Sequence, residues 1–325
     1  MTDHHILGAG VMGLCTAVEL ARRGASVTVH DPLGLPGPHQ CSWWAGGMLA
    51  PRCEGETAEE VVVSEGLKAV DWWQAQGAEV TRNGTLVVAL GRDRAELDRF
   101  ARRTTGHSLL SAEEVAEIEP LLAGRFSRGL FFAEEAHLDP QAALAALVAR
   151  AKELGVRFTT DSAAKGSVID CRGTAARDIL PDLRGVKGEM LILHSPEITL
   201  SRPVRLLHPR IPVYIVPRGD GTFMLGATMI ESAERNRASV RSVLELLTAA
   251  YALHPAFGEA EIVEIGHDAR PAFPDNLPRL RHAGGRLCLN GLYRHGYLMA
   301  PALARMAADH LLEGRNALLE EALPA

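Results

Sequence analysis

The sequence predicts an α/β protein in two parts, one built round a parallel sheet and the other round an antiparallel sheet, and three stretches predict it. "HHILGAGVMGLCTAVELARRGASVTVHD", residues 4–31, reads as strand, tight turn, helix, strand, the unit from which parallel sheets are made. Residues 186–264 alternate apolar and polar positions between the turn signals "LHPRIP" and "PRGDGT", the pattern of an antiparallel sheet with one face on a core. "LNGLYRHGYLMAPALA", residues 289–304, gives strand, glycine turn and helix start again near the other end of the chain. Such a junction presents backbone N–H groups to an anion or polar ligand, because the first helical amides lack intrahelical partners.

The chain has 325 residues, enough for one large or two moderate domains with a buried core. With 47% hydrophobic and 23% charged residues it has the composition of a folded enzyme-sized protein, and a formal charge of −6 argues against nucleic acid or an anionic membrane as partner. Five scattered cysteines without C-x-x-C spacing disfavour a disulfide framework and a zinc site, so no metal is expected and a reducing cytoplasm fits best. No run approaches the ~20 apolar residues of a membrane span, and a first strand from about His4 leaves no room for a signal peptide. A homo-oligomeric assembly is compatible with all of this.

In the opening unit Gly8, Gly10 and Gly13 form G-x-G-x-x-G, and Asp31 follows Gly8 by 31 − 8 = 23 residues. Each part has a mechanical reason in a Rossmann-like dinucleotide site. Gly8 makes the turn, Gly10 lets backbone approach a pyrophosphate, Gly13 lets helix pack on strand, and Asp31 accepts from ribose hydroxyls while disfavouring a 2′-phosphate. The motif alone does not separate FAD from NAD. After it comes "PLGLPGPHQCSWWAGGMLAPRCE", a long irregular segment whose Gly46 and Gly47 suit either a loop or backbone lying against a flat ring.

Further on, "RNGTLVVAL" at 82–90 predicts a strand of a different sheet, while "DRAELDRFARRTT" and "SAEEVAEIEPLL" predict amphipathic helices. "HLDPQAALAALVARAKELGV" predicts a longer helix with Asp139 as N-cap and Pro140 in its first turn. "RFTT" and "GSVIDCRG" follow as short strands, and "ASVRSVLELLTAAYALHP" is the one long helix within the antiparallel stretch.

Taken together, Gly8 to Asp31, "SWWAGGMLAP", "GVKGEMLIL", "VYIVPRGDGTFMLGATM", "DARP" and "NGLYRHGYLMAPA" occur in an order that resembles the D-amino-acid oxidase superfamily, and within it the FAD-dependent glycine oxidases of thiamine biosynthesis. The resemblance spans nearly the whole chain. It implies a Rossmann-like FAD domain assembled from residues 1–78, 135–185 and 265–325, with an antiparallel-sheet substrate domain from 79–134 and 186–264. It implies non-covalent FAD, since "DARPAF" has no cysteine for a flavin linkage; His39 is the one residue to watch. To the cofactor it assigns Gly8, Gly10, Met12, Gly13 and Asp31 at the first turn, then Ser42, Ala45, Gly46, Gly47 and Met48. Ala163 and Gly173 follow, and then Gly291, Arg294, His295, Gly296, Tyr297 and Leu298 at the last turn, with Arg270 serving cofactor and substrate. The helix expected from near Leu298 would aim its positive end at the flavin N1–C2 edge. The hairpin usual between the "RFTT" and "GSVID" strands is almost absent here.

A small amino acid offers a carboxylate as its main handle, which a planar guanidinium grips bidentately. Arg294 is the first candidate, in the position that resembles the family's carboxylate-binding arginine, and Arg270 the second, with a structural pair to Asp268 as its plainer reading. Tyr214 resembles the family's tyrosine over the substrate. His295 invites a general-base role, but hydride transfer from a neutral amine to flavin N5 requires no protein base for the carbon proton. Met48 and Met229 fit flavin contact or gap-filling core equally, and Trp43 and Trp44 stand where the family has small residues. The expected activity is oxidation of glycine to its imine, with O₂ reduced to hydrogen peroxide, in service of thiazole formation. Sarcosine, D-amino acids or another electron acceptor are the alternatives, as is a flavin-binding regulatory protein without catalysis.

Overall fold

The strand Asp3–Leu7 lies between Ser26–His30 and Ser167–Asp170, parallel to both. Its inner residues are buried, as befits a strand covered on both faces. The protein is described here from a computed structural model covering residues 3–161, 166–210, 212–315 and 320–322. The sheet around this strand has seven strands, in the order Glu320–Ala322, Arg279–Ala283, Arg286–Asn290, Ser167–Asp170, Asp3–Leu7, Ser26–His30 and Arg157–Thr159. Residues from both ends of the chain and from its middle therefore share one sheet. Helices Val11–Arg22, Pro140–Glu153 and Gly296–Glu313 pack with it into one apolar core. Pro140–Glu153 starts as its sequence predicts: the Asp139 side chain accepts from Ala142 N at 2.8 Å, and Pro140 occupies the first turn, where its missing N–H costs nothing.

The second sheet has nine strands. Its path runs Ile230–Glu231, Arg184–His194, Thr222–Gly226, Val213–Gly219, Val204–Leu207, Thr85–Ala89, Arg128–Phe132 and Ser108–Ser111, while Glu261–Ala272 pairs antiparallel along Arg184–His194. The strand expected in "RNGTLVVAL" thus lies in this sheet. Helix Val240–Leu253, capped by Ser239, buries Leu246, Ala250 and Leu253 in the sheet's apolar core. Ala112–Ile118 carries a full capping box between Ser111 and Glu114. Glu261–Ala272 continues past position 264 without a break, so the expected domain boundary there falls inside a strand. Among the described residues no helix is long and apolar enough to cross a membrane, no group of three or more candidate ligands could hold a metal, and the five cysteines are free.

Candidate cofactor and substrate site

The first turn behaves mechanically as its glycines require. Gly8 has φ +100°, and a Cβ there would lie 2.6 Å from the Cys171 carbonyl oxygen. A Cβ on Gly13 would collide with Gly8 O, so this glycine serves helix-to-strand packing and does not line the cavity. At Gly10 the nearest atom to a Cβ is Ser42 Oγ at 3.3 Å, and the Ser42 hydroxyl accepts from Val11 N at 3.1 Å. Asp31 follows Ser26–His30, its Oδ2 accepting from Ala9 N at 3.0 Å and from Gln40 Nε2 at 3.0 Å. A carboxylate is therefore fixed beside the glycine turn, as a ribose partner must be.

From this turn a cavity of about 540 Å³ runs to the large sheet, within the size range of small-molecule and cofactor sites. Gly8, Gly10, Met12, Asp31, Ser42, Ala45, Gly46, Gly47, Met48 and Gly173 line it, as do Tyr214, Arg270, Arg294, His295, Gly296, Tyr297 and Leu298. A second cavity, of about 380 Å³, adjoins Asp31 between Ala9, Gly34, Leu35 and Phe158. Gly291 is not among the residues that line the first cavity. Gly291 adopts φ +79° with the Phe273 ring packed where its Cβ would be, so this glycine turns the chain over an aromatic ring, while its neighbours Asn290 and Leu292 line that cavity. Ala163 lies outside the described residues.

The last helix begins at Gly296, two residues before the expected start near Leu298. His295 O accepts from Met299 N at 2.8 Å, closing the first turn and leaving the amides of Gly296, Tyr297 and Leu298 at the cavity end of the helix. The buried Tyr297 hydroxyl donates to Ser42 O at 2.9 Å, tying this helix to the segment 41–48.

The two arginines differ in what holds them. Arg294 donates from Nε to Glu54 Oε2 at 2.7 Å and from Nη2 to Thr57 Oγ1 at 3.0 Å. Arg270 donates from Nη1 to the Thr228 carbonyl at 3.1 Å, and its guanidinium lies over Gly188, where a Cβ would collide with it. Asp268, the carboxylate expected as its partner, is instead held by Arg235 at 2.5 and 2.9 Å. The Tyr214 ring lies over Gly46, 2.8 Å from the place of its Cβ. Met229 is half-exposed and accepts weakly from the Tyr293 hydroxyl at 3.4 Å.

Sequence reasoning passed over two charged residues here. Burial alone would raise the Glu54 carboxyl, but the Arg294 guanidinium, with His295 and Arg205, outweighs it and pulls the group down to about 2. Arg218, in the quoted "YIVPR", is buried and donates to the carbonyls of Leu138 at 2.5 Å, Ala45 at 3.2 Å and Gly46 at 2.9 Å. It thereby clamps the Ala45–Gly46 backbone to Leu138. The signal for Arg218 was a charge in an otherwise apolar strand; Glu54 lay at the end of an irregular segment with no pattern. Burial drives the His295 imidazole down to about 4, so it is neutral at pH 7.

A G-x-G-x-x-G turn with its acidic partner, opening onto a cavity roofed by a second sheet, defines a dinucleotide-dependent oxidoreductase of two-sheet architecture. The family model described as "FAD dependent oxidoreductase" (DAO) matches residues 3–310, and the chain belongs to that family. It is 54% identical over 311 residues to a Rhizobium etli protein described as a thiamine biosynthesis oxidoreductase, ThiO, covering 94% of this chain and 95% of that one. It is 27% identical over 350 residues to the glycine oxidase of Bacillus licheniformis, covering 95% and 93%. The crystal structure of glycine oxidase from Geobacillus kaustophilus superposes with TM-score 0.83 at 23% identity over 98% of this chain and 97% of that one, a likeness of fold. The cofactor is FAD, and the residues present fit it: the glycine turn, the fixed Asp31 and the helix end at Gly296 face one continuous cavity.

Proposed function

We propose that this protein oxidises glycine or a similarly small amino acid to its imine within thiamine biosynthesis, with non-covalently bound FAD and O₂ as final acceptor. FAD, held at the Gly8–Gly10 turn, Asp31 and the helix end at Gly296, would supply two-electron chemistry here, as acceptor of hydride from the substrate α-carbon and as donor of the pair to O₂, with hydrogen peroxide as product. The imine then hydrolyses to glyoxylate and ammonia. The observation that carries this reading is Arg270: a cavity-lining guanidinium with no carboxylate partner among the described residues, in a cavity that also holds Tyr214. A substrate carboxylate completes such a group by two parallel hydrogen bonds, with the Tyr214 hydroxyl as a further donor. Arg294 is already engaged through Nε to Glu54, through Nη2 to Thr57 and weakly through Nη1 to the Met229 sulfur, so its fork is less open to a bidentate carboxylate than that of Arg270. Neutral His295 and the apolar wall beside Tyr214 keep water from the reacting carbon, and no side chain need take the carbon proton. Free cysteines accord with a reducing cytoplasm, and residues 1–78, 135–185 and roughly 265–325 are the cofactor domain in this reading. The test is anaerobic addition of glycine to the yellow holoprotein. Bleaching of the flavin, followed on air by peroxide in proportion to glycine consumed, supports the proposal; a spectrum unchanged by glycine, sarcosine and D-alanine alike returns the protein to a binding role.

A further inference from the structure

The neighbouring tryptophans Trp43 and Trp44 point into different parts of the molecule. Trp43 packs against the core of the parallel sheet. Trp44 packs the other way, with Met48, Tyr214 and Ala227, against Met190, Val216 and Met224 of the large sheet. Its ring is fixed at both ends: Nε1 donates to Pro38 O at 2.9 Å, and the benzene part of the indole lies against Gly266, where a Cβ would collide with it and with the Met190 sulfur. Only a glycine lets the ring come this close to the strand.

The strand register then places this ring relative to Arg270. Gly188 pairs with Asp268 and Met190 with Gly266. Gly188 and Met190 are two residues apart on one strand, so they share a face ~7 Å apart. The Arg270 guanidinium covers Gly188, and Trp44 with Met190 occupies the next position. Arg270 and Trp44 thus line one cavity from the same face of the ladder, one ladder position apart, with Asp268 and its partner Arg235 beside them.

We propose that Trp44 sets the upper size of the substrate side chain, making this site selective for glycine-sized substrates, with Gly266 retained to seat the ring. The inference rests on Arg270 as the carboxylate anchor, and the experiment separates the two. Holoenzyme is titrated with acetate and with 3-methylbutanoate, followed by the flavin absorbance change, and the ratio of the two affinities is compared between variants. The parent should favour acetate at least tenfold. Trp44→Ala should shift the ratio towards 3-methylbutanoate by tenfold or more while acetate affinity moves less than threefold, with Trp44→Phe between. Arg270→Ala, run beside them, reads the anchor: if it binds acetate normally while the Trp44 ratio still shifts, the wall stands and the anchor assignment falls. A ratio unchanged in both Trp44→Ala and Trp44→Phe, with flavin retained, overturns the proposal. Should Trp44→Ala lose its flavin, Trp44→Phe alone decides, since any wall of this kind must open when the indole is shortened to a phenyl.

Discussion

Arg294 and Glu54 form a closed pair in the candidate site, Nε to Oε2 at 2.7 Å, with Arg205 Nη1 3.7 Å from the other carboxylate oxygen and His295 Nδ1 3.3 Å from Oε2. Arg294 is therefore committed before any substrate arrives, whereas Arg270 spends one donor on a backbone carbonyl. The order of the two arginines proposed for the substrate carboxylate follows from this difference and reverses the order that sequence position favours.

Arg270→Ala should cost ~2–5 kcal/mol in kcat/KM on glycine, the penalty for leaving a desolvated charge unpaired. That is roughly thirty-fold to several-thousand-fold at about 1.4 kcal/mol per decade. Arg270→Lys should recover only part, because an ammonium keeps the charge but not the fork. Tyr214→Phe should cost ~1 kcal/mol, one neutral hydrogen bond. Steady-state kinetics with intact flavin spectra measure all three; normal turnover in Arg270→Ala together with inactive Arg294→Ala would restore the opposite assignment.

Glu54 makes the same pair visible in stability. Its carboxyl is held at about 2 in the fold against an ordinary 4.5, so the charged form is favoured by folding. The contribution, on the order of 3 kcal/mol, is present above about pH 4.5 and is lost as pH falls towards about 2. Glu54→Gln should lower the melting temperature at pH 7 and flatten its dependence on pH below 4.5. A variant melting as the parent does at pH 7 would show that the pair adds no net stability.

Glu135 works in the opposite direction. It is buried, its Oε1 accepts from Cys53 N at 2.7 Å, and among the described residues its Oε2 and the Thr85 hydroxyl have no hydrogen-bond partner. Burial raises this carboxyl to about 7, so folding favours the protonated form. Its contribution is full below about pH 4.5 and is lost as pH rises through about 7. Glu135→Gln, a neutral isostere whose amide could donate to Thr85 Oγ1, should melt higher than the parent at pH 8 and equal it near pH 5. A variant less stable at pH 8 would place a bound cation or a charged carboxylate there instead.

The sheet architecture was legible because period and punctuation carry it: the unit from His4 to Asp31, the capped helix at Asp139 and the alternating strands of 186–264 are local patterns. The site was legible only where a glycine or a motif fixes backbone. Gly291 shows the limit, since a glycine in a turn at the expected place answers to Phe273, 18 residues earlier and across the sheet edge. Glu54, Arg218 and the division of labour between Arg270 and Arg294 depend on which carboxylate or carbonyl each guanidinium meets across 240, 172 and 42 positions of chain, and no local pattern records that. The parting of Trp43 from Trp44 is likewise decided by two sheets, not by the dipeptide.

The two glycines that end the first motif should fail in different ways when filled. A Cβ at Gly13 collides with the Gly8 carbonyl oxygen, backbone against backbone, so Gly13→Ala forces helix Val11–Arg22 away from strand Asp3–Leu7 at the centre of the sheet. Overpacking of this kind costs ~1–3 kcal/mol or more, and here it falls on the core. A Cβ at Gly10 meets two side-chain oxygens, Ser42 Oγ at 3.3 Å and Gln40 Oε1 at 4.0 Å, and no backbone atom, so the fold tolerates it. What it obstructs is backbone approach to the pyrophosphate. Gly10→Val should therefore give soluble, folded protein that elutes colourless, while Gly13→Ala should melt lower or aggregate whatever flavin it carries. Circular dichroism melts and the ratio of flavin to protein absorbance, measured on both variants, check the two halves separately. From the parent, acid or heat should release the flavin into the supernatant; flavin that stays with the precipitated chain would make the attachment covalent, with His39, which also lines the cavity, as the first residue to substitute. A yellow, fully loaded Gly10→Val protein would show that the first turn does not hold the diphosphate.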